Sequence, residues 1–449
     1  MVYPSNVLTF SAKKKSRIFC ELDNPSMPLK VLCISDTHLG HMEKDPVRSE
    51  DCYRAFGEIL DIAREESVDI IVHAGDMFDG SINPKIAVKT IEMMKKCRDI
   101  PFVYIHGNHD STMKFRQSLL PLVEASGFGF GIGKENITEY IPNGLGEVEV
   151  WYHLRPFIFE RDSVKIAIYG IGYRNPEEIN DVLKNERVVF DERGDSSIYK
   201  ILLIHQDLED RDRPGIPREF IRREFDTIVY GHEHSHEVTS STKEIRPGAP
   251  FPLTIAKTEM HKRGVAILKF SGHRGRDVRV KDVPIKTSRS VFRKAVVIDG
   301  EKPEVQIEKA YAEFVKSVKK CDISPLVRLV VYYNPSQREF LPSVIELRKK
   351  YPVDSANTDT IVYKKSSVEV KKEAVVIEDD TRFREFLAKE FEKIKDKPST
   401  IQGDQINVIR KKDVMESFDL FIDAERKCIK APGIFSGMVK RRIAECVSN

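Results

Sequence analysis

The spacing of apolar positions changes rhythm several times along the first half of the chain. Leu29–Ser35 is a short, β-branched apolar run, the mark of a strand buried on both faces. Between 52 and 66 the apolar residues Phe56, Ile59, Leu60 and Ala63 recur at helical spacing, and Asp69–Ala74 is a second strand-like run. Pro84–Cys97 predicts a helix with proline in its first turn. Phe102–His106 predicts a third strand. The order strand, helix, strand, helix, strand argues an α/β core. Further strands are predicted at Ile166–Ile171, Ile201–His205, Thr227–Tyr230 and Gly264–Phe270.

Past residue 284 the pattern is different. Residues 285–370 hold an amphipathic helix (Ile307, Tyr311, Phe314, Val318), an alternating strand at Val327–Tyr333, a helix near 338–350 and a strand at Thr360–Tyr363. This stretch reads as a small separate α+β domain after a first domain over 29–284. Residues 371–449 are polar overall, with helices carrying Phe383, Phe386, Leu387, Phe391 and Ile394, then Val414, Phe418, Phe421, Ile422 and Ile429. Aromatic stripes of that kind need burial, on the chain's own body or on another protein. Residues 1–28 read as a loose lead-in, with Met27 as an alternative start.

Composition narrows the classes without choosing among them. With 449 residues, 41% hydrophobic and 32% charged, the chain has enough apolar side chains for a sizeable core and is neither fibrous nor wholly disordered. Its 73 basic and 70 acidic side chains leave a net charge of +3, so any basic surface is local. The seven cysteines include no C-x-x-C pair, which argues against a disulfide framework and for a reducing compartment. No apolar run approaches the roughly 18 residues of a membrane span, and no signal-type apolar stretch follows Lys13-Lys14-Lys15.

The chemistry gathers where predicted strands end. Five motifs sit there: Asp36-Thr37-His38, Gly75-Asp76, Gly107-Asn108-His109-Asp110, His205, and Gly231-His232-Glu233-His234. Ligands of open α/β sheets bind beyond the carboxyl ends of strands, so all five point into one region. Asp, Asn and His are hard oxygen and imidazole donors suited to Mn or Fe. A pair of ions about 3.5–4 Å apart stabilises both the attacking and the leaving oxygen of a phosphoester displacement. Asp76 is the natural bridging carboxylate. His232 and His234, two apart, reach different ions if their segment turns. His109 is placed to face substrate as an acid or charge stabiliser, with Asp110 to orient it. A lone histidine after a strand is more often a structural one, but that reading does not account for five motifs in this order.

These motifs are the signature of calcineurin-like metallophosphoesterases, which the chain resembles. Within them, Asp36-Thr37-His38-Leu39-Gly40-His41-Met42-Glu43-Lys44-Asp45-Pro46-Val47-Arg48, Ile204-His205-Gln206, Tyr230-Gly231-His232-Glu233-His234, Arg246-Pro247-Gly248 and Pro325-Leu326-Val327-Arg328-Leu329 look like the eukaryotic double-strand-break repair nucleases of the MRN/MRX complex (meiotic recombination eleven, SbcD in bacteria). The resemblance spans about 29–370. It implies a four-layer α/β/β/α sandwich, a DNA-capping domain over 285–370, and a helical region over 371–449 that binds an SMC-like ABC ATPase (Rad-fifty). It implies two Mn2+ per chain, one held by Asp36, His38, Asp76 and His234, the other by Asp76, Asn108, His205 and His232. His109 matches the catalytic histidine. The implied activities are 3′-to-5′ exonuclease on duplex ends and endonuclease on single strands and hairpins, in the nucleus. Helices at 84–97 and 112–126 resemble the pair that forms the family's homodimer.

Three departures stand out. The family usually has His three residues after the bridging aspartate, whereas this chain has Asp79, a charge expected to repel substrate phosphate. The interval from Asp76 to Asn108 lacks the insertion that latches onto nibrin-type adaptors, which argues against such a partner. The long basic tail of many eukaryotic members is also missing. Nine Lys/Arg against two Asp over 269–294 predict a DNA-contacting run at the domain junction. The alternatives to a repair nuclease are a generic metallophosphatase, and a DNA- and ATPase-binding scaffold whose nuclease is weak, a reading that Asp79 keeps open.

Overall fold

The structure is a computed structural model. It describes residues 9–11, 28–80, 83–110, 118–133, 138–142, 148–191, 195–207, 216–217, 223–238, 244–272, 277–298 and 302–365. The terminal helices expected beyond 371 lie outside these residues.

Strand β1 (Thr9–Ser11) falls in the lead-in and is followed by β2 (Leu29–Ile34), α1 (Asp51–Glu65), β3 (Ile70–Ala74), α2 (Pro84–Met94), β4 (Phe102–Ile105), α3 (Leu120–Ala125) and β5 (Phe130–Gly131). Next come β6 (Thr138–Pro142), β7 (Val148–Leu154), β8 (Phe157–Arg161), β9 (Val164–Ile171), α4 (Pro176–Lys184), β10 (Val188–Phe190), β11 (Tyr199–His205) and β12 (Thr227–Gly231). Short strands β13 (Glu237–Val238) and β14 (Glu244–Arg246) precede the hairpin β15 (Gly264–Ser271) and β16 (Asp277–Pro284).

Two sheets carry the first part: one in the order β16-β15-β2-β3-β4-β5, the other β1-β8-β9-β11-β12-β14-β13. Strands β2, β3 and β4 run parallel, as do β9, β11 and β12. Their side chains alternate between two apolar environments. Val31 and Cys33 of β2 pack with Ile201 and Leu203 of β11 and Ile166 and Ile168 of β9, which places the two sheets face to face. Leu32 and Ile34 turn the other way, onto Phe56 and Ile59 of α1 and Ile86 of α2. Leu202, Ile204 and Tyr169 turn onto Ile179 and Val182 of α4. The result is helix, sheet, sheet, helix, and it explains why the central strands are near-continuous apolar runs.

A three-stranded parallel sheet follows, β17 (Val291–Val297), β18 (Leu326–Tyr333) and β19 (Ile361–Lys365), crossed by α5 (Pro303–Ser317) and α6 (Val344–Lys350). Ile307, Tyr311 and Phe314 of α5 pack on Val327, Leu329 and Val331. The expected α+β arrangement is refined here. Each strand is joined to the next through a helix, so strands run parallel and α and β alternate. The helix expected near 338–350 is two pieces, a 3-10 turn at Pro335–Phe340 and α6, because Pro342 holds the intervening chain extended. Of the helix expected at 112–126, only α3 falls among the described residues. Among those residues no helix is long and apolar enough to cross a membrane.

Candidate metal centre

The carboxyl ends of strands from both facing sheets meet at one place. Asp36 and His38 follow β2, Asp76 follows β3, Asn108 to Asp110 follow β4, His205 ends β11, and His232 and His234 follow β12. Backbone bonds lace the loops together. Asp36 N–H donates to Gly75 O at 3.0 Å, His38 N–H to Asp76 O at 3.0 Å, Leu39 N–H to Met77 O at 2.8 Å and Gly80 N–H to His109 O at 2.8 Å. Asp36, His38, Asp76 and His232 all have positive φ, at 52°, 40°, 55° and 87°. Non-glycine residues in that region are strained, and such strain gathers at functional sites.

Two glycines let the rings pack this closely. Gly75 has φ +88°, and a Cβ there would lie 2.4 Å from His205 Nδ1. At Gly231 a Cβ would lie 2.3 Å from Ala74 O and 2.8 Å from the same nitrogen. The Gly-Asp and Gly-His steps of the motifs follow from this crowding.

The donor atoms form two sets that share Asp36. Asp36, His38 and His234 each offer an atom within 4.8 Å of the others, and so do Asp36, Asp76 and His205. Asp76 Oδ2 lies 3.2 Å from His205 Nε2 and 3.7 Å from His38 Nε2. Asn108 Oδ1 is 3.1 Å from His205 Nε2 and 2.9 Å from His232 Nδ1. His232 and His234 therefore serve opposite halves of the cluster, the left-handed turn at His232 separating them.

The residues fit a pair of cations. Asp36 Oδ2 and His38 Nε2 are buried and have no hydrogen-bond partner, and buried polar atoms are otherwise nearly always paired. His205 donates its Nδ1 hydrogen to Ala74 O at 2.7 Å, leaving Nε2 to face Asp76 and Asn108. Burial pushes the His205 ring down, but the charge and hydrogen bond of Asp76 raise it to about 9. The oxygens converging on Nε2 thus favour positive charge there, where a metal cation would sit. The donor set is suited to a dinuclear site.

Two second-layer carboxylates orient the rings on the Asp36 side. Asp79 contacts His38 Nδ1 and His109 Nδ1, each at 3.1 Å. Glu259 lies 3.7 Å from His234 Nδ1 and is itself held by buried Arg263 at 2.6 Å. Supports of this type fix the tautomer and angle of a ligating imidazole. Sequence reasoning did not find Glu259, which lies 25 residues beyond His234 and carries no local signal.

His109 lies beside His38, ring centroids 4.9 Å apart, with 45% of its side chain exposed. The expectation that Asp110 orients it is corrected. Asp110 is buried and accepts from Phe78 N–H at 2.8 Å and Gly107 N–H at 2.7 Å. It staples the loop after β4 to the loop after β3. Burial, with Asp76 nearby, raises its carboxyl to about 7. The carboxylate that meets His109 is Asp79. That residue, expected from the sequence to repel substrate phosphate, is a hydrogen-bond hub.

Among the described residues of the basic run over 269–294, three are turned to other uses or lie away from the site. Lys269 pairs across strands with Lys30, five positions from Ser35, and Lys281 binds Glu66. At about 3.3 Å per residue, Lys30 lies roughly 20 Å along β2 from Asp36. Arg289 is buried and grips Asp51 at 2.8 and 2.9 Å, Ser324 O at 2.6 Å and Val47 O at 3.2 Å. It ties α1 to the small parallel sheet and is not offered to phosphate.

Comparison with known proteins agrees with this architecture. The calcineurin-like phosphoesterase family matches residues 29–236. The double-strand break repair protein MRE11 of Encephalitozoon cuniculi is 28% identical over 291 residues, covering 59% of this chain and 48% of its own length. MRE11 of Homo sapiens is 25% identical over 404 residues, covering 74% and 54%. MRE11 of Arabidopsis thaliana is 26% identical over 428 residues, covering 79% and 57%. The chain thus spans about half the length of the curated relatives it matches. Two facing sheets, strained ligand loops that converge between them and these matches together make the chain similar to MRE11-type proteins, with a calcineurin-like phosphoesterase match over residues 29–236.

Proposed function

We propose that the chain is a metal-dependent DNA nuclease of double-strand-break repair, acting as a 3′-to-5′ exonuclease on duplex ends and an endonuclease on single strands and hairpins. The carrying observation is the pair of donor sets that meet at Asp36 and Asp76 with buried lone pairs turned inward. One Mn2+ is assigned to Asp36, His38, Asp76 and His234, the other to Asp76, Asn108, His205 and His232. Such a pair supplies Lewis-acid activation of water and neutralises charge on a phosphodiester. The chain's own part is to hold the imidazoles in the correct tautomer through Ala74 O, Asp79 and Glu259. His109, whose affinity for its proton is raised by its bond to Asp79 against the effect of burial, protonates the leaving oxygen.

The partners follow the same reading. DNA ends are the substrate, with residues 285–370 as capping domain. An SMC-like ABC ATPase is engaged by 371–449. Val88 of α2 and Leu122 of α3, at 58% and 44% exposure, suit a homodimer face. The short Asp76-to-Asn108 interval argues against a nibrin-type adaptor, and the working compartment is the nucleus. The scaffold alternative loses its main support, since Asp79 is spent on imidazoles.

The test is cleavage of an end-labelled duplex and a single-stranded circle in Mn2+ by wild type, His109→Ser and Asp76→Ala, with bis(4-nitrophenyl) phosphate alongside. Cutting of DNA by wild type alone is expected. A wild-type protein that hydrolyses the small diester but leaves both DNAs intact would sink the nuclease reading.

A further inference from the structure

Asp79 touches three imidazoles. Its Oδ1 meets Nδ1 of His38 and Nδ1 of His109, each at 3.1 Å, and its Oδ2 meets Nδ1 of His41 at 2.7 Å. An ionised carboxylate only accepts, so each ring carries a hydrogen on Nδ1. For His38 this leaves Nε2 bare, and Nε2 is the buried atom without a partner. His41 differs, because its Nε2 faces a second acceptor, Leu253 O, at 3.0 Å. The His41 ring is thus held at both nitrogens, between Asp79 and Leu253 O, and stands behind the carboxylate as its brace. The Asp79 backbone is fixed as well, N–H to Leu39 O at 3.2 Å. Burial alone would raise the Asp79 carboxyl. The hydrogen bonds from His109, His38 and His41 outweigh it and hold the group well below the usual carboxylate range.

We infer that Asp79, braced by His41, is a positioning residue that sets a metal-ligating ring and the leaving-group acid with one carboxylate. Rotating this carboxylate turns His38 away from the cluster and His109 away from the substrate position together. His41 touches neither ring through a hydrogen bond, so it acts only through Asp79. The inference rests on the metallonuclease reading for the roles of His38 and His109, and on the contacts above for Asp79 and His41.

The experiment compares wild type, Asp79→Ala, His41→Phe and the double variant as the full chain. Mn2+ affinity is read by calorimetry, and kcat and KM are read separately on bis(4-nitrophenyl) phosphate. Asp79→Ala should weaken Mn2+ binding and lower kcat by about 10- to 100-fold each, the range for lost second-layer supports, with KM within about twofold. His41→Phe should move both in the same direction by less. The double variant should be no worse than Asp79→Ala. Metal affinity and kcat left unchanged in Asp79→Ala would overturn the inference, as would losses that multiply in the double variant. Should Asp79→Ala fail to fold, His41→Phe decides, and wild-type values for both readouts would overturn the inference. A wild type that binds Mn2+ and cleaves the diester but spares DNA removes the nuclease reading while the variant comparison still decides this one. A wild type that binds no Mn2+ overturns both.

Discussion

At the scale of single residues, the site depends on what the ligands' neighbours permit. Gly231→Ala would place a methyl group against Ala74 O and His205. It should reduce Mn2+ affinity about tenfold or more by shifting the His205 ring and its Ala74 support without removing a donor atom, a loss that calorimetry would register. Asp110→Ala removes the acceptor of two buried backbone N–H groups. It should cost about 2–6 kcal/mol in denaturant unfolding, since each of the two stranded donors costs about 1–3 kcal/mol. A pure activity loss at unchanged stability would return Asp110 to a catalytic role. The residue types at the strand ends were legible in the sequence because motif spacing encodes them. The partners were not. Asp79 and His41 are 38 positions apart, and only folding shows that an apparent repulsive charge is an acceptor for three rings.

At the scale of elements, the long apolar runs announced the central strands and α1, where burial on one or two faces writes a clean period. Short pieces escaped. Helix α4 has nine residues and only Ile179, Val182 and Leu183 buried, too few for periodicity to stand out. Its start was nevertheless written in Asn175-Pro176-Glu177-Glu178, a cap followed by proline and acidic residues. The Asn175 side chain accepts from Glu177 N–H at 2.8 Å and Glu178 N–H at 3.4 Å. Asn175→Ala should therefore cost about 1 kcal/mol, the usual loss of an N-cap. A null effect in denaturant melts would mean that packing of α4 on β11 and β9 suffices. Strands β6 to β8, β16 and β17 were missed for a related reason. Their sequences mix polar and apolar residues, and β16 in particular alternates charged and apolar residues at a sheet edge.

At the scale of the whole molecule, a run of like charge in sequence is divided among different tasks, because the hairpin β15–β16 carries Lys269 and Lys281 along the strands and away from the site. Arg289 became structural instead. Arg289→Met should cost about 3 kcal/mol in unfolding of the full chain, the lower end for breaking a buried ion pair, since Arg54 and Arg48 remain beside Asp51. If the loss is under about 0.5 kcal/mol, the contact is ornamental. The left-handed backbone at the site has a consequence for descent. Nine non-glycine residues among those described have positive φ, and four of them are Asp36, His38, Asp76 and His232. Each left-handed residue gives up roughly 1 kcal/mol that glycine would recover. His232→Gly should accordingly melt higher than wild type without metal while losing Mn2+ affinity. Mutation under selection for stability alone would erase such positions first.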